Sequence, residues 1–340
     1  MIPLEDPTHV AVLGSGAWGT ALAHLLSRTG HDVVLWCHEP EVAASIQRNR
    51  TNPYLEGVAL PEALRATPDL AGAMEGAEVV LSVSPSQFVG SVMEAAAPHL
   101  AERALMVSAS KGIEHATLRR MDEVMADLLP TAIMERFTVL SGPSFAAEVA
   151  REAPTAVVAA SDDPEAARTV QHLFQTESFR VYTNPDVVGV ELGGALKNVI
   201  ALAAGVASGL GFGHNTLAAL ITRGLAEMRR LGVALGARRE TFSGLAGMGD
   251  LVLTCTGDLS RNRTVGRRLG AGERLEDILD DMNAVAEGVK TAAAVYDLSR
   301  RHDVEMPISE EVYAMVHQGR SPSESLRALM QRDPKPEEWS

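Results

Sequence analysis

A glycine-rich turn constrains the fold of this chain more than any other feature. An apolar run, Val10–Leu13, leads directly into the turn GSGAWG at residues 14–19, and a helical pattern follows from Thr20 to Arg28. A second apolar run, Asp32–Cys37, follows at the distance expected of a βαβ unit. This order of strand, turn, helix and strand is typical of dinucleotide-binding folds. The sequence therefore predicts such a unit here.

The three glycines of the turn have separate roles in such a unit. Gly14 permits the tight turn, Gly16 lets a pyrophosphate approach the backbone, and Gly19 allows the helix to pack closely on the strand. The N-terminus of the helix then faces the anion with its unpaired N–H groups. We therefore expect this turn to hold the phosphates of NAD or NADP.

The end of the second strand does not decide between the two cofactors. In NAD-binding units an acidic residue about 20 positions after the glycines contacts the ribose hydroxyl, but here Glu39 stands one step late, behind His38. His38 could stack near the adenine, and Arg48 or Arg50 could contact a 2′-phosphate. Simple exposure at the surface also explains each of these side chains, so the preference stays open.

The first half of the chain alternates short β-branched runs with helical patterns. Such alternation indicates an α/β fold of the Rossmann type, with a mainly parallel sheet covered by helices. Further strands are predicted at Val79–Val83, Leu105–Ser108, Thr138–Leu140 and Ala156–Ala159. Helices dominate the second half and are predicted at Leu217–Leu231, Leu275–Met282 and Val289–Arg301. We expect a boundary near Pro185, between an N-terminal dinucleotide-binding domain at 1–185 and an all-helical, substrate-binding C-terminal domain at 186–340.

Composition narrows the possible functions. The 340 residues carry a formal net charge of −14, which argues against nucleic acid as a partner because binding its phosphates requires a basic face. The stretch Val187–Leu210 approaches membrane-spanning length, but Glu191, Lys197 and repeated glycines favour a buried helix over an integral membrane segment. Cys37 and Cys255 are too few for a disulfide framework or a zinc cluster, so we expect no metal and a reducing compartment such as the cytoplasm. No secretory signal is visible in the first residues.

Lys197 is the first candidate for catalysis because it is the only lysine in that apolar stretch. Loss of hydration lowers the pKa of a lysine amine and lets it exchange a proton near neutral pH. A lysine whose stem lies along an apolar surface, with its amine in water, is the alternative. An anionic substrate would also need local positive charge to overcome the negative net charge, and Lys111, Lys197 and Arg261 could supply it.

Polar clusters follow two of the predicted strands, where an α/β sheet places its ligands. Lys111 comes just after one strand, and the run SGPSF at residues 141–145 follows the next, with Ser144 predicted to cap a helix. Further along, Asp250 lies in GMGDL at residues 247–251. Turn chemistry explains this aspartate, and so does a role as the acidic partner of a catalytic lysine.

The run SRNR at residues 260–263 places an arginine and an asparagine at a predicted helix start. Such a start offers forked donors and backbone N–H groups to a phosphate. Exposure to solvent is the alternative for the two arginines, and it is the preferred interpretation for Arg263 but not for Arg261.

Six ordered motifs together resemble those of one family. They are GSGAWGTAL from Gly14, SKG from Ser110, SGPSFA from Ser141, GGALKNVIA from Gly193, GLAGMGDLVLTC from Gly244 and SRNR from Ser260. In this combination the chain closely resembles the bacterial-type NAD(P)-dependent glycerol-3-phosphate dehydrogenases, over about residues 10–319. The resemblance implies a cytoplasmic, commonly dimeric oxidoreductase that reduces dihydroxyacetone phosphate to sn-glycerol 3-phosphate, which supplies the backbone of membrane phospholipids.

The resemblance also implies roles for individual residues. Lys197 matches the general acid/base, and Lys111 and Asp250 match its companions at the substrate. The positions that match substrate contacts are Lys111, Gly142, Ser144, Lys197, Asn198, Asp250, Ser260, Arg261 and Asn262. The positions that match cofactor contacts are Gly14, Gly16, Ala17, Trp18, Gly19, His38, Lys111, Ala146, Arg261, Val285 and Glu287. The chain departs from the family pattern at Ala17, where serine or asparagine is common, and at Cys37, where glycine is often found.

Two other functions fit part of the sequence. A reductase of the β-hydroxyacid dehydrogenase type shares a glycine turn and a lysine on the interdomain helix, and would act on another small keto or hydroxy acid. A dinucleotide-binding sensor would bind the cofactor without converting a substrate. The presence of Lys111, Lys197 and Asp250 together favours the dehydrogenase over the sensor.

Overall fold

A single sheet organises the first structural unit of the protein. The structure, a computed structural model, describes residues 6–282, 286–334 and 336–337. The strands are β1 (His9–Leu13), β2 (Asp32–Trp36), β3 (Arg65–Thr67), β4 (Val79–Ser82), β5 (Leu105–Ser108), β6 (Thr138–Ser141), β7 (Thr155–Ala160) and β8 (Phe179–Asn184). They lie in the order β3-β2-β1-β4-β5-β6-β7-β8. All neighbours pair in parallel except β6 and β7, so the prediction of a mainly parallel sheet is confirmed.

The central strands form because they are buried apolar runs. β1, β4 and β5 read HVAVL, VVLS and LMVS, and nearly all of their side chains are buried. Continuous runs of this kind are typical of parallel strands that are covered on both faces. Sequence patterns do not predict the two edge strands, because β3 has only three residues and β8 alternates buried with exposed side chains.

Eight α-helices accompany the sheet in the described part of this unit. They are α1 (Ala17–Arg28), α2 (Pro40–Asn49), α3 (Leu70–Met74), α4 (Val89–Ala96), α5 (Met121–Ala126), α6 (Thr131–Met134), α7 (Ala146–Ala150) and α8 (Pro164–Phe174). From α1, Leu22 and Leu26 join the same buried core as Val12 and Leu35 of the sheet. The helix that follows the glycine turn is therefore fixed by apolar packing.

The second half of the chain is helical, as predicted. Its helices are α9 (Val187–Gly209), α10 (His214–Ala234), α11 (Asp250–Thr256), α12 (Arg261–Gly270), α13 (Leu275–Asp280), α14 (Glu287–Arg301), α15 (Pro307–Gln318) and α16 (Pro322–Met330). The described residues beyond β8 contain no strand.

The two structural units divide inside α9. One unit contains the residues up to Lys111 together with Arg119–Glu191, and the other contains Gly112–Leu118 and the residues from Leu192 onward. The predicted boundary near Pro185 lies just before this helix, whereas the structural division lies within it. A short segment after Lys111 also belongs to the helical unit.

Among the described residues, α9 is the one helix that is long and apolar enough to cross a membrane, judged by length and composition alone. In its most apolar window, 94% of the residues are buried inside the protein. A buried core helix passes the same test, so this helix is weak evidence for a membrane span.

Glycines allow α12 to approach α9 closely. An added Cβ at Gly205 would lie 2.2 Å from the carbonyl oxygen of Arg263, and one at Gly266 would lie 2.1 Å from that of Leu202. Both distances are far below van der Waals contact, so a side chain at either glycine would push the helices apart. This contact holds the first turns of α12 against α9.

A buried carboxylate joins α10 to α15. Glu227 accepts hydrogen bonds from the backbone N–H of Ile308 at 2.7 Å, and from the backbone N–H and hydroxyl of Ser309 at 3.1 and 2.9 Å. It thereby satisfies N–H groups in the first turn of α15, which have no partner within the helix. Burial raises the pKa of Glu227 to about 7.

We expect Glu227 to make the protein less stable as the pH rises from about 4.5 to about 7. In that range the unfolded chain has released a proton that the folded protein retains, so a higher pH favours unfolding. Across it, the free energy of unfolding of the wild type should fall by about 3 kcal/mol relative to that of Glu227→Gln. Denaturant unfolding of both proteins measures this difference.

The control is Glu276→Gln, which removes an exposed carboxylate from α13. The difference in free energy of unfolding between Glu276→Gln and the wild type should not change with pH. A difference between wild type and Glu227→Gln that did not change with pH would contradict the raised pKa.

Candidate active site

The glycine turn between β1 and α1 has little room for side chains on its protein side. Gly14 has a φ of +126°, and an added Cβ there would lie 2.9 Å from the carbonyl carbon of Val83. An added Cβ at Gly19 would lie 2.0 Å from the carbonyl oxygen of Gly14. Gly16 differs, because no atom lies within 4 Å of the position of its Cβ. The turn is thus closed towards the protein and open at Gly16, as a pyrophosphate that approaches the backbone requires.

The topology of the sheet also favours a nucleotide at this turn. The chain order switches direction at β1, which has β2 on one side and β4 on the other, and ligands bind at the carboxyl ends of strands at such a point. α1 begins at Ala17, with Gly16 as its N-cap and no side-chain hydrogen bond at the cap. The N–H groups of the first helical turn favour a negatively charged group there. The residues present therefore fit a dinucleotide.

The other cofactor residues predicted in this unit differ in exposure. Ala17, Trp18 and Ala146 are partly buried and pack against the core. Nε1 of Trp18 is buried and has no hydrogen-bond partner among the described residues. His38 is exposed and its ring lies 6.0 Å from that of Trp36, centroid to centroid. Its position just beyond β2 is where the ribose of a dinucleotide binds in such units.

The residues that could distinguish NAD from NADP cluster around α2. Arg50 ends this helix with a φ of +54°, and its guanidinium donates a hydrogen bond of 3.0 Å to the carbonyl oxygen of Leu64. Glu39 is the N-cap of α2, and its carboxylate raises the pKa of the Tyr54 phenol. Arg48 is exposed. The side chain of Arg50 thus has a partner within the protein, whereas Glu39 makes no side-chain hydrogen bond at the helix cap.

Lys111, Gly142 and Ser144 meet at the carboxyl ends of β5 and β6. Nζ of Lys111 and Oγ of Ser144 each donate a hydrogen bond of 3.0 Å to the carbonyl oxygen of Gly142. Gly142 has a φ of +143°, a conformation that favours glycine. The prediction that Ser144 caps a helix is wrong, because α7 starts later, with Phe145 as its N-cap, and the serine hydroxyl closes the preceding turn instead.

A buried ion pair joins α9 to α11. Nζ of Lys197 lies 2.9 Å from Oδ1 of Asp250, and these side chains are 9% and 2% exposed. Nζ also donates a hydrogen bond of 2.8 Å to Oγ1 of Thr254, whose hydroxyl donates to the backbone carbonyl of Asp250 at 2.6 Å. The amine is therefore buried and oriented, which rules out a lysine that reaches into water. Sequence alone does not single out Thr254; its position one helical turn after Asp250 is the available signal.

Close backbone contacts pack the segment before α11 against α9 and against the residues that precede it. An added Cβ at Gly193 would lie 2.4 Å from the carbonyl oxygen of Ala246, and one at Gly247 would lie 2.3 Å from that of Phe242. Residues Leu245–Gly249 form a single π-helical turn directly before α11. Such turns are rare and occur frequently at functional sites.

A second set of polar contacts joins α9, α12 and α14. Nδ2 of Asn262 donates to Oδ1 of Asn198 at 2.9 Å, and Oδ1 of Asn262 accepts from the backbone N–H of Gly288 at 2.9 Å. Both asparagines are buried. Ser260 is the N-cap of α12, and its hydroxyl accepts from the backbone N–H of Arg263 at 3.3 Å, so the predicted helix start is confirmed.

Charged residues lie near the starts of α12 and α14. Arg261 is exposed overall, but protein around its guanidinium partly desolvates the charge and lowers its pKa, while the carboxylate of Glu287 acts in the opposite direction. An arginine stays protonated at neutral pH in either case. Arg263 instead lies 2.7 Å from the exposed carboxylate of Asp258. Val285, also predicted at the cofactor, lies outside the described residues.

The predicted site residues form one group in each unit. The sheet unit holds Gly14, Gly16, Ala17, Trp18, Gly19, His38, Lys111, Gly142, Ser144 and Ala146. The helical unit holds Lys197, Asn198, Asp250, Ser260, Arg261, Asn262 and Glu287. No group of three or more histidine, cysteine, aspartate or glutamate side chains suited to a metal ion occurs in the part of the chain that the structure describes.

A dinucleotide-binding sheet and a helical unit with a buried, carboxylate-paired lysine define a nicotinamide-dependent oxidoreductase. Residues 9–167 match the family described as NAD-dependent glycerol-3-phosphate dehydrogenase N-terminus, and residues 186–327 match the corresponding C-terminus. The chain belongs to the NAD-dependent glycerol-3-phosphate dehydrogenase family.

Individual members of the family are similar to this protein over nearly the whole chain. The glycerol-3-phosphate dehydrogenase of Geobacter sulfurreducens, named as NAD(P)+-dependent, is 57% identical over 331 residues, which are 97% of this chain and 99% of the relative. Its namesake from Geobacter metallireducens is 58% identical over 329 residues, 96% of this chain and 98% of the relative. The crystal structure of glycerol-3-phosphate dehydrogenase from Coxiella burnetii has a TM-score of 0.91 at 38% identity, and the match covers 96% of this chain and 100% of that one.

Asp250→Asn should destabilise the helical unit strongly. The substitution removes the carboxylate that compensates a buried ammonium, and such a change typically costs about 3–5 kcal/mol of unfolding free energy. Asp258→Asn is the matched control, because it removes the partner of Arg263 at a position that is 94% exposed; its cost should stay below about 1 kcal/mol. Denaturant unfolding measures both, and equal losses in the two variants would argue against a compensated buried charge.

Proposed function

We propose that this protein catalyses the reversible reduction of dihydroxyacetone phosphate to sn-glycerol 3-phosphate with NADH or NADPH. The observation that carries this proposal is the buried amine of Lys197, held at 2.9 Å from Asp250, in a chain whose two halves both belong to the glycerol-3-phosphate dehydrogenase family. Burying the charge of a lysine costs free energy, and general acid/base catalysis gives the buried amine a use that binding a cofactor alone does not require. The dehydrogenase is therefore favoured over the sensor.

The proposed cofactor site lies at the glycine turn. Gly14, Gly16 and Gly19 would let the pyrophosphate reach the backbone, and the first N–H groups of α1 would bind it. When bound, the nicotinamide supplies or accepts the hydride. The further residues proposed to contact the cofactor are Ala17, Trp18, His38, Lys111, Ala146, Arg261, Val285 and Glu287.

Lys197 is proposed as the general acid/base. Negative charge develops on the carbonyl oxygen of the substrate as its carbon is reduced, and the ammonium donates a proton to that oxygen. In the reverse direction the neutral amine removes the proton of the hydroxyl group. The carboxylate of Asp250, 2.9 Å from the nitrogen, would hold the amine in place for this exchange.

The phosphate of the substrate is proposed to bind at the start of α12, through Ser260, Arg261 and Asn262. Backbone N–H groups and a forked guanidinium suit this anion. Nδ2 of Asn262 donates one hydrogen to Asn198 and carries a second that can be donated to the phosphate. Because the phosphate is remote from the reacting carbon, its binding positions the carbonyl for reaction. Gly142, Ser144 and Lys111 are proposed to complete the substrate contacts.

The cellular setting is inferred from the family resemblance. We infer a cytoplasmic homodimer whose product supplies the backbone of glycerophospholipids. Cys37 and Cys255 are both free thiols, which fits a reducing compartment. Light scattering coupled to size-exclusion chromatography tests the dimer.

Lys197→Met should reduce turnover with dihydroxyacetone phosphate by a factor of about 10² or more, because the proton donor is lost. Steady-state rates of NADH or NADPH oxidation measure this effect. Circular dichroism and thermal unfolding verify that the variant, including its helical unit, is folded. Lys290→Met, at an exposed position on α14, is the control and should keep wild-type turnover; near-normal turnover in Lys197→Met would refute the assignment.

Arg261→Ala should raise the KM for dihydroxyacetone phosphate by about tenfold or more, because a charge-assisted contact with the phosphate is lost. Arg263→Ala, whose guanidinium pairs with Asp258, serves as the matched control and should leave this KM unchanged. The wild type should also prefer the phosphorylated substrate over unphosphorylated keto acids. Efficient reduction of a keto acid would instead support a reductase of the β-hydroxyacid dehydrogenase type.

A further inference from the structure

Asn52, in the loop after α2, makes an unusual set of contacts with the glycine turn. Its side chain is buried, with 2% of the residue exposed. Nδ2 donates one hydrogen bond to the carbonyl oxygen of Ser15 and another to Oγ1 of Thr20, each 2.8 Å long. Oδ1 accepts from the backbone N–H of Tyr54 at 2.8 Å. Both amide hydrogens and the amide oxygen are therefore engaged within the sheet unit.

These contacts fix the carbonyl group of Ser15. Its oxygen accepts from Asn52 and also from the hydroxyl of Thr20 at 3.1 Å, which matches the two lone pairs of a carbonyl oxygen. In a planar trans peptide the C=O of one residue and the N–H of the next point in opposite directions. Holding the oxygen of Ser15 towards Asn52 therefore directs the N–H of Gly16 to the opposite side.

The space around Gly16 is open, since no atom lies within 4 Å of the position of its Cβ. We propose that Asn52 is a positioning residue for the dinucleotide: by anchoring the carbonyl of Ser15, it directs the N–H of Gly16 towards the pyrophosphate. This inference rests on the proposed cofactor site at the glycine turn. It assigns Asn52 no contact with the cofactor itself, because the amide is already used by the protein.

The chemistry of the side chain explains why an asparagine suits this position. It supplies two donors from one atom and an acceptor from another, and all three are used here. Aspartate has no donors and would place a negative charge against the carbonyl oxygen of Ser15. Leucine has a similar shape but no polar atom. An N–H group that is held in place before the ligand arrives binds an anion without a further ordering cost.

Asn52→Ala should weaken the binding of NADH or NADPH by about tenfold or more, as expected for the loss of buried hydrogen bonds that hold a binding group. Fluorescence titration measures the dissociation constant. In steady-state kinetics the KM for the cofactor should rise while the KM for dihydroxyacetone phosphate stays unchanged. This split separates positioning of the cofactor from general damage to the enzyme.

Gln171→Ala is the matched control. The side-chain amide of Gln171 donates a hydrogen bond of 2.7 Å to the carbonyl oxygen of Val181 in the same sheet unit. Its loss should lower the melting temperature without changing the affinity for the cofactor. If Gln171→Ala weakened cofactor binding as much as Asn52→Ala, the effect would be general loosening of the unit and the proposal would fail.

Cofactor fragments test the link to the pyrophosphate directly. ADP contains a pyrophosphate and adenosine does not. In calorimetric titrations, Asn52→Ala should therefore weaken the binding of ADP by about the same factor as the binding of the whole cofactor, and leave the affinity for adenosine unchanged. Thr20→Val, which removes the other donor to the carbonyl oxygen of Ser15, should likewise weaken the binding of ADP but not that of adenosine. If Asn52→Ala does not fold, the titrations of Thr20→Val alone test the proposal.

The combined variant gives a further check. Because Asn52 and Thr20 hold the same carbonyl oxygen, the loss of affinity in the double variant should differ from the product of the two single losses. Unchanged affinity in Asn52→Ala, or equal losses for ADP and adenosine, would overturn the proposal. The two proposals can fail separately. If Asn52→Ala binds the cofactor more weakly than the wild type, but the wild type does not reduce dihydroxyacetone phosphate, the proposed function is refuted and this inference stands.

Discussion

The helical unit depends on the buried contact between the ammonium of Lys197 and the carboxylate of Asp250. Removing either charge from water costs several kcal/mol, and only a short, well-oriented contact with further hydrogen bonds offsets that cost. The distance of 2.9 Å, together with the hydroxyl of Thr254 at 2.8 Å from the same nitrogen, meets this condition. Because the pair bridges α9 and α11, the packing of these helices and the proposed proton transfer depend on the same atoms. Any arrangement that separated the helices would leave two buried charges uncompensated.

Glycines make these short distances possible. Gly193 allows α9 to touch the backbone at Ala246, and Gly266 allows α12 to touch the backbone at Leu202. A side chain at either position would displace a helix by about an ångström or more, enough to break hydrogen bonds that are 2.8 to 2.9 Å long. The small residues thus position the polar ones. The same holds in the sheet unit, where Gly14 and Gly19 shape a turn that presents Gly16.

The parts of the structure that follow from local pattern could be predicted from sequence. The central strands are continuous apolar runs, and the glycine turn has a fixed geometry. The pairing of Lys197 with Asp250 is not a local pattern: the sequence left Asp250 open between a turn residue and an acidic partner, and the structure shows the pair. The edge strands could not be predicted from sequence, because β3 and β8 are strands through their pairing with β2 and β7. Thr254 and Asn52 could not either, since their partners lie 57 and 37 residues away in the chain. The error at Ser144 arose because a small shift in the start of α7 decides whether its hydroxyl caps the helix or closes the turn.

The charge balance of the site bears on how an anionic substrate reaches an acidic protein. The chain carries a formal net charge of −14, so its average field repels a phosphate. The ammonium of Lys197 does little to reverse this, because the carboxylate of Asp250 neutralises it at 2.9 Å. Arg261 is proposed to supply the attraction, since its guanidinium stays charged at neutral pH even though desolvation lowers its pKa. The proposed roles in proton transfer and phosphate binding thus fall on different cations, Lys197 buried and paired with a carboxylate, and Arg261 exposed overall.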